Sequence, residues 1–308
     1  MTALLLLPLL LPFALPALAR RALDRLAPVA ALWAVTGCAV VLAGSSLAAL
    51  GSFVLVGLLK VPLFAALGEL IHPLRTASDL VVLPAAATSV GALAVCGWTL
   101  VRSVLHQTRA FRAARTEAGC GPAAGDLCVV DSPRPDAYAL PGRPHRIVVT
   151  TAMLRSLDGP EREALFAHER AHNAGHHHYF LAAAELAAHC HPALRPARET
   201  IRLAAERAAD EAAAVGVGDR RLIARAIARA ALAGQAVHSE RPDFAPAATT
   251  GPVPQRVQAL LAAPLVPRAG RAIAALLIAC TGVSCAASVV GLADFHHRVE
   301  VAQGDERP

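Results

Sequence analysis

The stretch 168-HERAHNAGHHHYF-180 places two histidines and a glutamate at a spacing that a helix brings to one side. An α-helix makes one turn every 3.6 residues, so His168 and His172 lie one turn apart on the same face. Both imidazoles can then reach one metal ion, and Glu169 projects beside it. The stretch therefore predicts a helix that carries part of a metal site.

The residues before this stretch favour a helix that starts early. Pro160 suits the first turn of a helix, and Glu161 and Glu163 favour its positive end. The pattern predicts a helix from residue 159 to about 180 and allows an extension to residue 189. Further helices are predicted at 198–215 and 220–235, and short strands at 127–131 and 146–154.

The H-E-x-x-H form indicates zinc chemistry. Zinc lowers the pKa of a bound water to about 7, so hydroxide becomes available at neutral pH. Glu169 is placed to accept a proton from that water. A catalytic zinc ion also needs a third protein ligand and one open coordination position.

Two candidates compete for the third ligand. The longer form H-E-x-x-H-x-x-G-x-x-H, typical of metzincins, selects His178 and uses Gly175 to turn the chain. That form expects a methionine turn downstream of the motif, but both methionines of this chain lie upstream of it. The other candidate is 206-ERAADEAAA-214, where Glu206 and Asp210 share a helix face. One of these carboxylates can bind zinc while the other orients a ligand histidine.

The composition indicates a membrane protein. Hydrophobic residues make up 55% of the 308 residues and are concentrated at both ends of the chain. A helix needs about 20 apolar residues to span a bilayer, and four segments approach or exceed that length. They are residues 2–19, 29–59, 80–101 and 272–293. Three prolines are expected to kink the first of these segments. The sequence predicts a mainly α membrane protein whose α+β metallopeptidase domain, residues 102–271, is inserted between helices three and four. It opens with a basic helical linker at 102–119.

The charges predict the orientation. Arginines follow the first and third segments and precede the fourth, whereas the tail at 294–308 is acidic. By the positive-inside rule both termini lie outside the plasma membrane, the tail is extracellular and residues 102–271 are cytoplasmic.

The net charge of +6 comes from arginines that flank apolar segments, so direct binding to nucleic acid is not expected. The run 17-ALA-19 resembles a cleavage site, but basic residues follow the apolar run, which favours a retained segment.

Four features together resemble the membrane gluzincins, the HtpX and CAAX-protease group and the related BlaR/MecR antirepressor peptidases. HERAH is followed by an E-x-x-x-D helix, and 136-DAYALPGRPHRIVVTTAMLRSL-157 is similar to the segment that supplies their exposed substrate strand. The segment 252-PVPQRVQALL-261 is similar to their Pro-x-x-x-Arg-Val-x-x-Leu motif. The order of three helices, a protease and one helix resembles the antirepressor branch.

The resemblance implies roles for the metal-site residues. It makes His168, His172 and Glu206 the ligands of one catalytic Zn²⁺ ion, which favours Glu206 over His178. Glu169 is then the general base and Asp210 the carboxylate that orients a ligand histidine. The histidines at 176–178 are interpreted as a polar helix end near the membrane surface, and 189-HCH-191 as a helix end before Pro192.

The resemblance and chain position suggest further site residues. Tyr138 and Ala139 are expected near the substrate strand by resemblance. Arg256 and His238 are candidates for stabilising the oxyanion by position only. The resemblance also suggests a protein substrate, either a repressor of the BlaI/MecI type or a membrane protein in HtpX-type quality control. Only 15 residues follow the fourth segment and no S-x-x-K motif occurs, so β-lactam sensing by this chain alone is not expected.

Two alternatives belong to other functional classes. The first is a membrane sensor or scaffold that keeps a protease-like fold without catalysis, against which the intact HERAH and ERAAD motifs argue. The second is a secreted metzincin-like protease, which requires cleavage after Ala19 and an outward-facing middle domain.

Overall fold

A computed structural model describes residues 2–58, 79–120, 123–234, 252–262 and 270–304. Helices α1 to α11 cover Thr2–Leu10, Leu15–Arg25, Pro28–Leu58, Asp79–Cys120, Thr151–Ser156, Gly159–Ala174, His177–Cys190, Arg195–Val217, Arg220–Gly234, Val253–Leu261 and Arg271–Gly304. Strands β1 to β4 cover Ala123–Ala124, Leu127–Val130, Ala137–Leu140 and Arg146–Thr150. The predicted mixture of many helices with a small sheet is confirmed.

Four helical segments of the described residues are long and apolar enough to cross a membrane. They are Leu4–Arg25, Pro28–Leu58, Val82–Thr116 and Arg271–Asp294. In the first segment a 3-10 turn at Leu11–Ala14 separates α1 from α2, next to prolines that cannot donate a backbone hydrogen bond. The predicted helical linker at 102–119 is the continuation of α4. The protein therefore has the helices of a multi-pass membrane protein.

The four strands form one sheet in the order β1-β2-β4-β3. β2 runs parallel to β4, whereas β3 is antiparallel to β4 and lies at the edge of the sheet. β4 ends at Thr150, earlier than the predicted residue 154, because the Thr150 hydroxyl accepts a hydrogen bond from the Met153 backbone and caps α5.

The membrane-spanning helices share a hydrophobic core with α7 and α8 from the middle of the chain. α7 and α8 pack against α3, and α8 also packs against α2. Across this interface the Arg207 guanidinium donates a hydrogen bond of 2.7 Å to the Leu23 carbonyl. The buried residues that α7, α8 and the turn between them supply to this core are Phe180, Leu181, Ala184, Ala187, Cys190, Leu194, Ala197, Ile201, Leu203, Ala204 and Ala205.

The start of α6 is fixed by a capping box. The Asp158 carboxylate accepts a hydrogen bond from the Glu161 backbone, and the Glu161 carboxylate accepts one from the Asp158 backbone. The buried Glu161 also pairs with Arg225 and Arg229 of α9, at 3.1 Å and 2.8 Å. These contacts anchor the helix that carries HERAH to the helix behind it.

The sequence predicts one helix from residue 159 to about 180, but the structure has two helices in this range, α6 and α7. The prediction of a continuous helix is therefore wrong. α6 ends at Ala174, and His176 adopts the left-handed conformation with a φ of 52° before α7 begins. A left-handed residue stops the helix because it turns the chain out of the helical path. α7 then ends at Cys190, which confirms the predicted helix end before Pro192.

Candidate metal centre

Two helices bring three potential metal ligands together. α6 supplies His168 and His172, α8 supplies Glu206, and all three side chains are buried. The Nε2 atoms of the two histidines are 3.0 Å apart. The Glu206 Oε2 atom lies 3.4 Å from His168 Nε2 and 3.7 Å from His172 Nε2. The three atoms form a compact triangle whose corners are all metal-binding donors.

The triangle fits a zinc ion. Zinc binds nitrogen and oxygen ligands at about 2.0–2.1 Å, so two ligand atoms of a tetrahedral site lie about 3.3–3.4 Å apart. The observed separations of 3.0, 3.4 and 3.7 Å bracket this value. His178 is not part of the cluster, and its ring lies 4.1 Å from the ring of Tyr179.

Asp210 lies one helical turn after Glu206 and links the site to Arg256 of α10. Its Oδ1 atom is 2.9 Å from His168 Nδ1, the ring nitrogen that faces away from the ligand triangle. Arg256 donates to Asp210 from Nε at 2.9 Å and from Nη2 at 2.7 Å. Its Nη1 atom is 3.0 Å from Glu206 Oε2. Arg256 is wholly buried, so its charge is compensated within the protein.

These contacts shift the pKa values of the site. Burial by itself would raise the pKa of Glu206, but the Arg256 guanidinium and His172 hold that pKa well below its usual range. Burial alone would lower the pKa of His168, but the nearby Asp210 and Glu206 carboxylates outweigh burial and raise it to about 9. Burial is the main cause of the lowered pKa of His172.

The formal charges of the site also suit a divalent cation. Three buried carboxylates, those of Glu169, Glu206 and Asp210, surround one buried guanidinium, that of Arg256. Metal binding requires both ligand imidazoles to be neutral, so the His168 proton is lost on binding, and the four groups then carry a formal charge of −2. A buried charge of this size is costly unless it is compensated, and Zn²⁺ compensates it.

His177 is a site residue that the sequence analysis missed. Its side chain is buried, and its Nδ1 atom lies 2.8 Å from His172 Nδ1. Burial, followed by the neighbouring His172, lowers the pKa of His177 to about 3, so its ring is neutral. The interpretation of residues 176–178 as a polar helix end is wrong for His177, although His176 is exposed. A run of three histidines does not show in advance which one turns inward.

The expected substrate strand is present but covered. Tyr138 and Ala139 lie on β3, which pairs with β4 alone among the described strands and packs beside α6. Each β3 residue is at most 7% exposed, so the expectation of an exposed strand is wrong for this structure. His238, the other oxyanion candidate, lies outside the described residues.

Comparison with known proteins identifies the class of enzyme. Residues 107–195 match the family model of Peptidase family M48, a stretch that includes HERAH and ends before Glu206. The chain is a zinc-dependent metallopeptidase. The match supports the M48 family for this metallopeptidase without resolving a subtype. Comparisons with curated proteins and with solved structures gave no match.

Proposed function

We propose that this metallopeptidase is a membrane-embedded endopeptidase whose single zinc ion is held by His168, His172 and Glu206. The observation that carries the proposal is the ligand triangle, with separations of 3.0, 3.4 and 3.7 Å, buried between two helices. Because α8 also packs against α2 and α3, the site is built onto the membrane-spanning part of the chain.

Glu169 is the proposed general base. His168, His172 and Glu206 would hold the zinc ion, which would supply Lewis-acid polarisation of the scissile carbonyl and a lower pKa for the attacking water. Glu169 follows His168 directly on α6 and is fully buried, which suits a group that acts next to the metal ligands. Its carboxylate accepts a proton from the attacking water and delivers it to the amine that leaves when the peptide bond breaks.

We propose that Arg256 holds the Glu206 and Asp210 carboxylates of α8 in place and does not stabilise the oxyanion. Its Nε and Nη2 atoms contact Asp210, and its Nη1 atom contacts Glu206. All three guanidinium nitrogens are therefore engaged by the carboxylates that set the geometry of the site. His238 stays a candidate for the oxyanion by its position in the sequence.

The proposed substrate is an extended protein segment that pairs with β3. The Thr150 backbone donates to the Asp136 carbonyl at 3.0 Å. Hydrogen-bonded pairs alternate along an antiparallel ladder, so the backbone groups of Tyr138 face β4 and those of Ala139 face the edge that no described strand occupies. An added strand would bind through Ala139, a general mode of peptide recognition. Because Ala139 is 1% exposed, this pairing requires the edge of β3 to become accessible.

The resemblance supplies two classes of protein substrate. One is a cytoplasmic repressor of the BlaI/MecI type, cleaved in a signalling pathway, and the other is a membrane protein in HtpX-type quality control. The repressor is the proposed substrate because the order of the membrane segments resembles the antirepressor branch.

The proposed orientation places both termini outside and the metal centre in the cytoplasm, with residues 294–308 as an extracellular tail. Arginines at both ends of the middle region support it through the positive-inside rule. Alkaline phosphatase fused after residue 304 should be active in intact cells, and green fluorescent protein fused there should be dark. A fluorescent fusion at this site would contradict the orientation.

The zinc site and the base are tested with four forms of the full chain purified in detergent. Wild type and His178→Ala should each bind one zinc ion, whereas Glu206→Ala should lose it. Glu169→Gln should keep the ion but cleave an unstructured protein such as casein about 10²–10⁴-fold more slowly, because the proton acceptor is gone. Zinc loss in His178→Ala alone would favour the metzincin site. Zinc binding without cleavage by any form would favour the scaffold.

A further inference from the structure

Each ligand histidine has a polar group close to the ring nitrogen that faces away from the triangle. His168 Nδ1 faces the Asp210 carboxylate at 2.9 Å, and His172 Nδ1 faces His177 Nδ1 at 2.8 Å. A histidine that binds zinc almost always donates its other ring N–H to an acceptor, which fixes the tautomer and the orientation of the ring. Asp210 was expected in this role from the sequence, whereas His177 was not.

The direction of the His172–His177 contact follows from the ligand chemistry. His172 points Nε2 into the ligand triangle, so this nitrogen must offer a lone pair and the ring proton must be on Nδ1. His177 Nδ1 then has to accept that proton in a hydrogen bond, and His177 carries its own proton on Nε2. The reverse arrangement would put a proton on His172 Nε2, where it would block metal binding.

Gly175 leaves the space that the His177 ring occupies. A Cβ atom at position 175 would lie 3.1 Å from the Ala171 carbonyl oxygen, and it would be much closer to the His177 ring, at 2.4 Å from Nε2 and 2.8 Å from Cδ2. Both distances to the ring are far below van der Waals contact, so any larger residue at 175 would force the ring away from His172.

The backbone at Gly175 does not itself require glycine. Its φ is −78°, which any residue can adopt, whereas the left-handed position that ends α6 is taken by His176. Helices commonly place glycine at the left-handed position, yet here the glycine precedes it. The position of Gly175 is therefore explained by the space it leaves beside His177.

We infer that His177 is a positioning residue that accepts a hydrogen bond from the Nδ1–H group of His172. Gly175 then serves to make room for the His177 ring. The inference rests on the proposed zinc site and deepens it. The motif then reads as H-E-x-x-H-x-x-G-x-H, in which the glycine and the last histidine belong to the site without His178.

The test measures the zinc dissociation constant of the full chain in detergent by competition with a chromophoric chelator. His177→Phe keeps a ring but cannot accept a hydrogen bond from His172. We expect its zinc dissociation constant to be about 10–100-fold higher than that of wild type. His177→Asn can accept through its side-chain oxygen, so it should stay within about 5-fold of wild type. His178→Phe, a neighbouring substitution outside the cluster, is the matched control and should bind zinc like wild type.

Gly175 is tested by a double-mutant cycle. Gly175→Ala should weaken zinc binding about as much as His177→Phe, by about 10–100-fold. In a His177→Ala background the same change should have a much smaller effect, because no ring remains to be displaced and only the 3.1 Å contact with the Ala171 carbonyl is left. Equal losses in both backgrounds would overturn the role assigned to Gly175.

The outcomes separate this inference from the zinc site itself. If wild type and His177→Phe bind zinc equally well, the positioning role is wrong and the zinc site stands. If wild type binds no zinc, the proposed site is wrong and the inference falls with it. Should His177→Phe fail to fold, the comparison of His177→Asn with Gly175→Ala decides, and equal affinities in those two variants would overturn the inference.

Discussion

Asp210 is shared between a ligand histidine and a buried arginine. Its carboxylate faces His168 Nδ1 at 2.9 Å and accepts two hydrogen bonds from Arg256, at 2.9 Å and 2.7 Å. One side chain therefore orients His168 and compensates the Arg256 charge, which itself lies 3.0 Å from Glu206. The ligands from α6 and α8 are thus connected through Asp210 and Arg256 before any substrate binds.

Asp210→Asn should weaken zinc binding without removing any ligand. We expect the zinc dissociation constant to rise about 10–100-fold, because the neutral amide is a poorer acceptor for His168 and leaves the Arg256 charge less well compensated. Chelator competition measures this change. Glu211→Gln is the matched control on the next residue of α8, since Glu211 pairs with Arg220 and lies outside the site. An equal effect of both substitutions would mean that Asp210 acts only through the general charge of the helix.

At the scale of residues, the sequence predicted those site residues whose shared helix face follows from the helical repeat. His168 and His172, or Glu206 and Asp210, are one turn apart on a helix, so their shared faces follow from 3.6 residues per turn. His177 could not be predicted in this way, because its position depends on a left-handed residue at His176, whose side chain gives no such signal. Arg256 was identified by its position alone, and its contact with Asp210 joins residues 46 apart in the chain.

The helix that carries HERAH is also tied to the sheet by an exposed ion pair. Arg170 projects outward from α6 and binds the Asp126 carboxylate in the turn between β1 and β2, at 2.7 Å and 2.9 Å. The hydrogen bond from Arg170 is the main cause of the lowered pKa of Asp126. Both side chains are at least 38% exposed, so water screens the pair and its contribution to stability is small.

Asp126→Asn should lower the free energy of unfolding by up to about 1 kcal/mol at pH 7. The folded pKa of Asp126 lies below its unfolded value, so the stabilisation is present above the unfolded pKa. It is lost as the pH falls through the lowered folded pKa. Thermal unfolding should therefore show a constant difference between pH 7 and about 5 and a shrinking one below about 4. Arg170→Gln added to Asp126→Asn should cost nothing more, and additive losses would show that the two side chains act independently.

Among the elements, α8 and α9 were predictable, whereas the break between α6 and α7 and the end of β4 were not. α8 and α9 match their predicted ranges within three residues because apolar periodicity runs through each of them. β4 is followed by the α5 cap at Thr150, and a run such as 146-RIVVTTAML-154 does not reveal where pairing stops and capping begins. The burial of β3 depends on packing from distant parts of the chain, which no local pattern encodes.

For the whole molecule, α4 connects the membrane to the proposed substrate strand. α4 contains the third membrane-spanning segment and continues to Cys120. Its Phe111 and Ala114 pack in one cluster with Tyr138 and Leu140 of β3. Arg115 donates a hydrogen bond of 3.3 Å to the Pro141 carbonyl, directly after β3. A change in the tilt of α4 would therefore act on the strand that is proposed to bind substrate.

The shared core predicts that the peptidase part does not fold without the first three membrane helices. Residues 102–308 expressed alone would expose the apolar faces of α7 and α8 that pack against α2 and α3, and would lose the bond from Arg207 to Leu23. We expect this fragment in detergent to aggregate, to show no cooperative thermal transition and to bind no stoichiometric zinc. Residues 1–101 and 102–308 produced together in one membrane should copurify and regain one zinc ion, because the separated parts can rebuild the core. A monomeric fragment 102–308 that binds one zinc ion would instead show that the metal centre is an independent domain, and that its packing on the membrane helices contributes little to its stability.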